Sequence, residues 1–102
     1  MKRIINGRRF DTKAATEIAT TGSGGSYNDF RCYEEKLYRT PRGNWFVHGH
    51  GGPMTRWGRA AVGGGTIEGE GILALTDKQA LQWLEDAGEA ALAEEYFDVD
   101  DA

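Results

Sequence analysis

The chain has 102 residues, of which 39% are apolar and 27% are charged, and its formal charge is −4. This length and composition predict one soluble globular domain with a modest core, and the acidic balance argues against a general nucleic-acid binder. No apolar run reaches the ~18 residues of a membrane helix, and too few apolar residues follow Lys2-Arg3 for a signal peptide. We therefore expect one domain over residues 1–102, and the single Cys32 fits a reducing cytosol.

The amino-terminal part of the chain predicts a hairpin followed by a helix. Asn6-Gly7 lies between two short runs and is typical of a tight hairpin turn, because both residues tolerate positive φ. Asp11 has the character of a helix N-cap, and the apolar residues after it recur at helical spacing up to Thr20. We expect this helix to end at Gly22.

The rest of the chain predicts a second hairpin, a strand and two helices. Strands over 30–40 and 44–50 flank a turn at 41–43, and a bulge at Glu34-Glu35 accounts for an irregular alternation. A further strand over 66–75 follows an irregular loop, and a capping box of Thr76 and Gln79 then begins a helix.

Gly88 is the natural end of that helix, and a shorter helix is expected over 89–97. The order of elements predicts an α+β fold, in which a small antiparallel sheet of hairpins has helices packed on one face. We expect residues 98–102 to form a frayed acidic tail.

Charge is distributed unevenly along the chain. Residues 1–50 carry nine basic and five acidic side chains, whereas residues 51–102 carry three basic and eleven acidic ones. From Glu85 onward there are eight acidic side chains and no basic one. Such a block attracts cationic partners, although a solvated helix face with an acidic tail is an equally simple interpretation.

Two other groups of residues suggest chemistry. Cys32, His48 and His50 are the candidates for a metal site or a Cys–His nucleophile, but their spacing matches no metal motif. A small buried cysteine and packed histidines are the preferred interpretation. The glycines at 63–65 lack the Gly-Lys-Ser/Thr ending of a phosphate loop.

The hairpin over 30–47 combines basic and aromatic side chains. Arginines and lysine alternate there with tyrosines and a tryptophan, which is the pairing that nucleic-acid platforms use for phosphates and bases. The alternative is a solvated outer face with its rings in the core, and the negative net charge favours that alternative. A nucleic-acid-binding accessory protein that uses 30–47 remains the second functional hypothesis.

Several short motifs follow one another along the chain. They are Ile4-Ile5-Asn6-Gly7, Phe10-Asp11-Thr12, Asp29-Phe30, Glu34-Glu35-Lys36-Leu37-Tyr38-Arg39-Thr40, Gly43-Asn44-Trp45-Phe46, Gly51-Gly52-Pro53-Met54 and Ala74-Leu75-Thr76, with Ala15, Gly49, Ala80 and Trp83. Together they resemble small proteins carried on prophages, plasmids and conjugative elements, some of which act as anti-CRISPR inhibitors. The resemblance implies a cytosolic protein of a mobile element that targets a host protein complex, and it does not imply an active site.

The first functional hypothesis is therefore a non-enzymatic inhibitor that mimics DNA with an acidic surface. It would dock on a basic nucleic-acid-binding complex, most plausibly a CRISPR effector, in the host cytosol and block DNA binding. The predicted contact residues are Glu68, Glu70, Glu85, Asp86, Glu89, Glu94, Glu95, Tyr96 and Asp98. We assign no catalytic residue, metal or cofactor, expect no direct contact with nucleic acid or membrane, and expect a monomer or weak homodimer.

Overall fold

The computed structural model describes residues 1–23 and 30–102, so the Asp29 of the motifs quoted above lies outside the described residues. Eight strands precede two helices. They are β1 (Lys2–Ile5), β2 (Arg8–Asp11), β3 (Thr16–Gly22), β4 (Tyr33–Arg39), β5 (Trp45–Gly51), β6 (Arg59–Ala60), β7 (Thr66–Ile67), β8 (Gly69–Leu75), α1 (Asp77–Asp86) and α2 (Ala90–Tyr96). The fold is α+β, as predicted, in one small domain with both helices packed against an antiparallel sheet.

The main sheet has four antiparallel strands in the order β3-β4-β5-β8. The central strand β5 is buried on both faces, because Trp45, Phe46 and Val47 are all almost inaccessible to solvent. Because successive side chains of a strand point to opposite faces, both faces of β5 are covered. The pairs β1-β2 and β6-β7 form separate two-stranded ribbons.

Each face of the main sheet has its own apolar cluster. On the helix face, Leu37, Trp45 and Val47 pack with residues of both helices, among them Leu84 and Ala93. On the opposite face, the β1-β2 hairpin inserts Phe10 between sheet residues, and its ring meets Phe46 edge-on at 5.6 Å. The sheet is therefore covered by helices on one side and by a hairpin on the other.

The helix predicted after Asp11 is wrong. Asp11 does accept a backbone hydrogen bond, but the bond comes from Lys13 and closes a turn instead of a first helical turn. Residues 16–22 then form β3, an edge strand that pairs with β4. Thr16, Ile18 and two further threonines are β-branched, and sheet pairing suits them better than a helix.

The bulge predicted at Glu34-Glu35 is also wrong, because β4 keeps an unbroken register with β5 through both residues. The irregularity in the sheet lies in β3 instead, between Glu17 and Ala19. Glu35 breaks the expected alternation for another reason: it is a buried charged residue that faces the helix side.

The predictions for the two carboxyl-terminal helices are confirmed. Thr76 caps α1, since its side chain accepts from the Gln79 backbone while the Gln79 side chain accepts from the Thr76 backbone. Gly88 adopts a positive φ of 72° directly after the last turn, and α2 follows. Residues 98–102 form neither helix nor strand. Within the described ranges, neither helix has the length and apolar character needed to cross a bilayer.

Candidate functional site: an acidic cleft between the helices

An open cleft of about 520 Å³ lies where α1, α2 and the following tail meet. Its charged lining consists of five carboxylates: Glu85, Glu89, Glu94, Asp98 and Asp100. The other lining residues are uncharged: Leu81, Gly88, Ala90, Ala93 and Val99. We call this feature the acidic cleft.

The helix pair explains how these side chains come together. Gly88 allows the chain to reverse after α1, so the end of α1 and the whole of α2 lie side by side. Leu84 and Ala93 are buried between the helices and the sheet, which turns the acidic positions outward. The tail then adds Asp98 and Asp100 to the same cleft.

The carboxylates of the acidic cleft have no cationic partner among the residues that the structure describes. No ion pair of the described ranges 1–23 and 30–102 involves any of them. Glu85 and Glu94 are exposed, and the apolar side chains of Leu81 and Val99 line the same cleft. The cleft therefore combines negative charge that no ion pair of the described residues compensates with apolar surface.

The remaining predicted contact residues lie elsewhere. Glu68 and Glu70 line a different cleft at the edge of β8, together with Cys32 and His50. Asp86 points to a third cleft, where its carboxylate accepts a hydrogen bond from Gln82 at 2.9 Å. These three acidic residues do not belong to the acidic cleft.

Glu95 and Tyr96 also lie outside the acidic cleft. Glu95 is exposed on α2, whereas Tyr96 is half-buried with its ring edge-on to Trp45 at 5.3 Å. The Arg39 guanidinium covers the rings of both Trp45 and Tyr96, at 5.2 and 5.3 Å from their centroids. Tyr96 thus holds α2 on the sheet and is not an exposed anchor for a partner.

The carboxylate of Glu35 forms a second, entirely different acidic site. Its two oxygens accept four hydrogen bonds: from Arg56 Nε at 2.7 Å, Arg56 Nη2 at 2.8 Å, Trp57 Nε1 at 2.8 Å and Trp83 Nε1 at 2.9 Å. The Glu35 side chain is only 8% exposed. One side chain of β4 thereby joins α1 to the loop that carries Arg56 and Trp57.

Burial by itself would raise the pKa of Glu35, because a charged carboxylate loses its hydration there. The hydrogen bonds from Arg56, Trp83 and Trp57, together with the positive charge of Arg56, outweigh burial and lower the pKa below its ordinary value. Glu35 is therefore ionised at neutral pH and fully occupied by internal donors.

Glycines of the sheet make room for Trp57. Gly49 lies opposite Glu35 in the register, and a Cβ at that position would fall inside the Trp57 ring. The loop is fixed by backbone hydrogen bonds from Gly52 to Cys32 and from Met54 to Phe30. A cleft of about 440 Å³ opens beside this assembly, and cationic and anionic groups balance in its lining, which includes Arg31, Arg56, Glu35 and Asp86.

The two histidines face the hairpin side of the sheet, and each lies near a carboxylate. His48 Nε2 is 3.3 Å from a Glu70 oxygen, and His50 Nε2 is 3.9 Å from a Glu34 oxygen. Over residues 1–23 and 30–102, no three His, Cys, Asp or Glu side chains are arranged to hold one metal ion. Cys32 is half-buried in the cleft that also contains His50.

The aromatic residues in the paired strands of the 30–47 hairpin contact the core, whereas Phe30, which precedes β4, is exposed. Tyr38 and Trp45 are buried, on opposite faces of the sheet, and Arg39 stacks on Trp45. Lys36 lies 3.6 Å from Glu17 on the neighbouring strand. These buried rings are not available to stack on bases, which supports the interpretation that the rings belong to the core.

Sequence reasoning missed the four-residue network around Glu35. A signal was present, because a glutamate occupies an inward position of β4 between the tyrosine and the leucine that share its face. A buried carboxylate needs donors, and the tryptophans and Arg56 are suitable ones. Their distance along the chain, up to 48 residues, concealed the pairing.

Compared with known proteins, the chain matches no family model, no curated protein and no solved structure. The resemblance to anti-CRISPR proteins therefore stays a prediction.

Proposed function

We propose that this protein is a non-enzymatic binding protein whose acidic cleft docks on a basic surface of a nucleic-acid-binding protein complex. The observation that supports the proposal is that five carboxylates line one cleft and that none of them forms an ion pair within the described part of the chain. The network at Glu35 offers a contrast, since its charge is already satisfied inside the protein.

Electrostatics give the reason for a basic partner. Neighbouring carboxylates repel one another, so lysine and arginine side chains at the cleft relieve that repulsion and release counterions from their own surface. Long basic side chains also carry apolar stems, which can pack against the Leu81 and Val99 side chains in the lining of the cleft. A groove that binds phosphates is lined by long basic side chains of this kind.

We base the choice of partner on the resemblance to mobile-element proteins. We propose a CRISPR effector in the host cytosol, with the acidic cleft occupying a channel that otherwise receives DNA. The protein would act without a cofactor, as an inhibitor of DNA binding and not as an enzyme.

The test compares two double variants that change the net charge equally. Glu85→Gln with Glu94→Gln neutralises two carboxylates of the acidic cleft, whereas Glu68→Gln with Glu95→Gln neutralises two exposed ones outside it. DNA binding by a purified CRISPR effector complex is measured by gel shift as each protein is added. We expect the cleft variant to require at least about tenfold more protein for inhibition, equivalent to about 1.4 kcal/mol.

The control variant should inhibit within about twofold of the unmodified protein, and inhibition should weaken steeply with added salt. Equal losses in both variants would point to diffuse charge instead of the cleft. Full inhibition by the cleft variant would contradict the proposed docking surface.

A further inference from the structure

The fold separates positive from negative charge across the main sheet. Residues 1–13 carry five basic side chains and one acidic one, and they form the hairpin on one face. Residues 77–101 carry nine acidic side chains and one basic one, and they include the helices on the other face. The net charge of −4 therefore conceals a strongly basic surface.

The cations of this hairpin are exposed and unneutralised. They are Lys2, Arg3, Arg8, Arg9 and Lys13, and Arg42 joins them from the β4-β5 turn. Over the described part of the chain, none of the six takes part in an ion pair. The one acidic residue of the hairpin, Asp11, accepts a hydrogen bond from the Lys13 backbone and not from a basic side chain. We call these six residues the basic hairpin surface.

Two of these arginines are held in place without losing their charge. Arg3 Nη1 donates to the Ile72 carbonyl at 2.8 Å, and Arg8 Nη1 contacts the Asn44 side-chain oxygen at 3.4 Å. Both acceptors are neutral, so each guanidinium keeps its full positive charge. Its remaining N–H groups can donate to another ligand. The contact with Asn44 also places the hairpin turn next to the turn that carries Arg42.

The turn and the packing of the β1-β2 hairpin fix the position of these charges. Asn6 and Gly7 adopt the positive φ values, 51° and 76°, that a tight turn between antiparallel strands requires. Phe10 is buried against Tyr38, Phe46 and Ile72, which fixes the ribbon on the sheet. A short two-stranded ribbon of this kind fits a nucleic-acid groove and presents cations to its phosphates.

We propose that the basic hairpin surface binds the phosphate backbone of a nucleic-acid duplex. A duplex is favoured over a single strand because the hairpin offers cations and the aliphatic Ile4 to solvent, while its ring, Phe10, is buried. Single-strand binders need exposed rings on which bases stack. This proposal is independent of the acidic cleft, which lies on the other side of the sheet.

The experiment measures binding of the full chain to short labelled duplexes by fluorescence anisotropy at increasing salt. The probes are a DNA duplex, an RNA duplex and a DNA–RNA heteroduplex, which share phosphate chemistry and differ in helical form. Arg8→Ala with Arg9→Ala removes two charges from the hairpin, and Arg59→Ala with Lys78→Ala removes two exposed charges elsewhere.

We expect the hairpin variant to bind at least about tenfold more weakly, and its slope of log affinity against log salt to fall by about two. The control variant should stay within about twofold of the unmodified protein. Arg8→Lys with Arg9→Lys keeps both charges and should retain most of the affinity. Matching thermal unfolding curves establish that all variants are folded.

Three outcomes would overturn the proposal. They are absence of duplex binding by the unmodified protein at low salt, equal losses in the hairpin and control variants, and equally tight binding to vesicles of anionic phospholipid. The last outcome would reveal a general attraction to polyanions. Preference among the three duplexes identifies the natural form of the ligand.

Discussion

Glu35 and the residues of the acidic cleft carry the same negatively charged group, but they differ in how the protein compensates that charge. Glu35 is buried and accepts four hydrogen bonds from Arg56, Trp57 and Trp83. The cleft residues are charged in the same way, yet the described residues provide no cation for them. A carboxylate whose donors are internal stabilises the fold, whereas one without them is available to a partner.

This comparison also shows why the number of acidic residues is a poor guide to function. Sixteen acidic side chains occur in the chain, and their roles depend on what surrounds each of them. Burial converts Glu35 into a structural link between a strand, a loop and a helix. Glu85 and Glu94, in contrast, are exposed and line the acidic cleft.

We expect the largest loss of stability from a substitution that displaces Trp57 from the hydrogen-bond network of Glu35. Gly49→Ala places a methyl group inside the space of the Trp57 ring, so Trp57 must leave both its packing and its hydrogen bond to Glu35. We expect a loss of about 4 kcal/mol in the free energy of unfolding, measured by urea denaturation.

Gly71→Ala is the matched control, because Gly71 pairs with Gly49 in the register. A Cβ there would lie 3.5 Å from the Trp57 ring, an ordinary contact. Similar stability of the two alanine variants would show that Trp57 is not held against the sheet as described.

A smaller loss in the free energy of unfolding is expected from Glu35→Gln, which keeps the shape of the side chain but removes its charge. The amide offers one acceptor oxygen to four donors and turns an NH₂ group toward them, so we expect a loss of about 3 kcal/mol at neutral pH. The same variant should have a flatter dependence of stability on pH. Because folding lowers the pKa of Glu35 from 4.5, its ionised form stabilises the fold above that pH.

In the unmodified protein this stabilisation is lost as pH falls below 4.5 and through the lowered pKa of the folded state. Urea denaturation at successive pH values measures the difference between the two proteins. Glu34→Gln serves as the control, since Glu34 precedes Glu35 on the same strand but is exposed on the opposite face. An equal acid-induced loss in unmodified and Glu35→Gln proteins would contradict the role given to Glu35.

The smallest effect on stability is expected in the acidic cleft. Glu85→Gln with Glu94→Gln should change the free energy of unfolding by less than about 0.5 kcal/mol, because neither side chain forms an ion pair with another described residue. Thermal unfolding at low salt measures the change. A loss of several kcal/mol would assign these carboxylates a structural role and remove the contrast with Glu35.

The parts of the fold that depend on local chemistry could be predicted from the sequence. Asn6-Gly7, Pro41-Arg42-Gly43 and the Thr76–Gln79 capping box each specify a turn or a helix end through their own backbone and side-chain preferences. The second hairpin and both carboxyl-terminal helices follow from those signals together with hydrophobic spacing.

The errors arose where distant residues decide the outcome. Asp11 and the alanines after it suit a helix locally, but pairing with β4 makes residues 16–22 a strand. Glu35 disturbed the alternation of β4 because Arg56 and Trp83 compensate its charge from 21 and 48 residues away. Neither the pairing of β3 with β4 nor the contacts of Glu35 with its distant donors can be identified from a short window of sequence.

The candidate site was predicted in outline and not in detail. The carboxyl-terminal concentration of acidic residues is visible in the sequence, and five of them line one cleft. Which acidic residues line the cleft depends on the tertiary arrangement of α1, α2 and the tail, and Asp86 and Glu95 are not among them. The basic hairpin surface was not predicted, because its cations share one surface only when the β1-β2 hairpin packs on sheet residues distant in sequence.

Two of the three tryptophans share one carboxylate, and this gives the protein an intrinsic optical reporter. The emission of an indole responds to a charge placed beside its N–H, so Trp57 and Trp83 register any displacement of Glu35. Trp83 belongs to the same helix as Glu85, which follows it by two residues and lines the acidic cleft. A ligand that tilts α1 therefore alters the fluorescence of the unlabelled protein, and docking can be followed without attaching a dye.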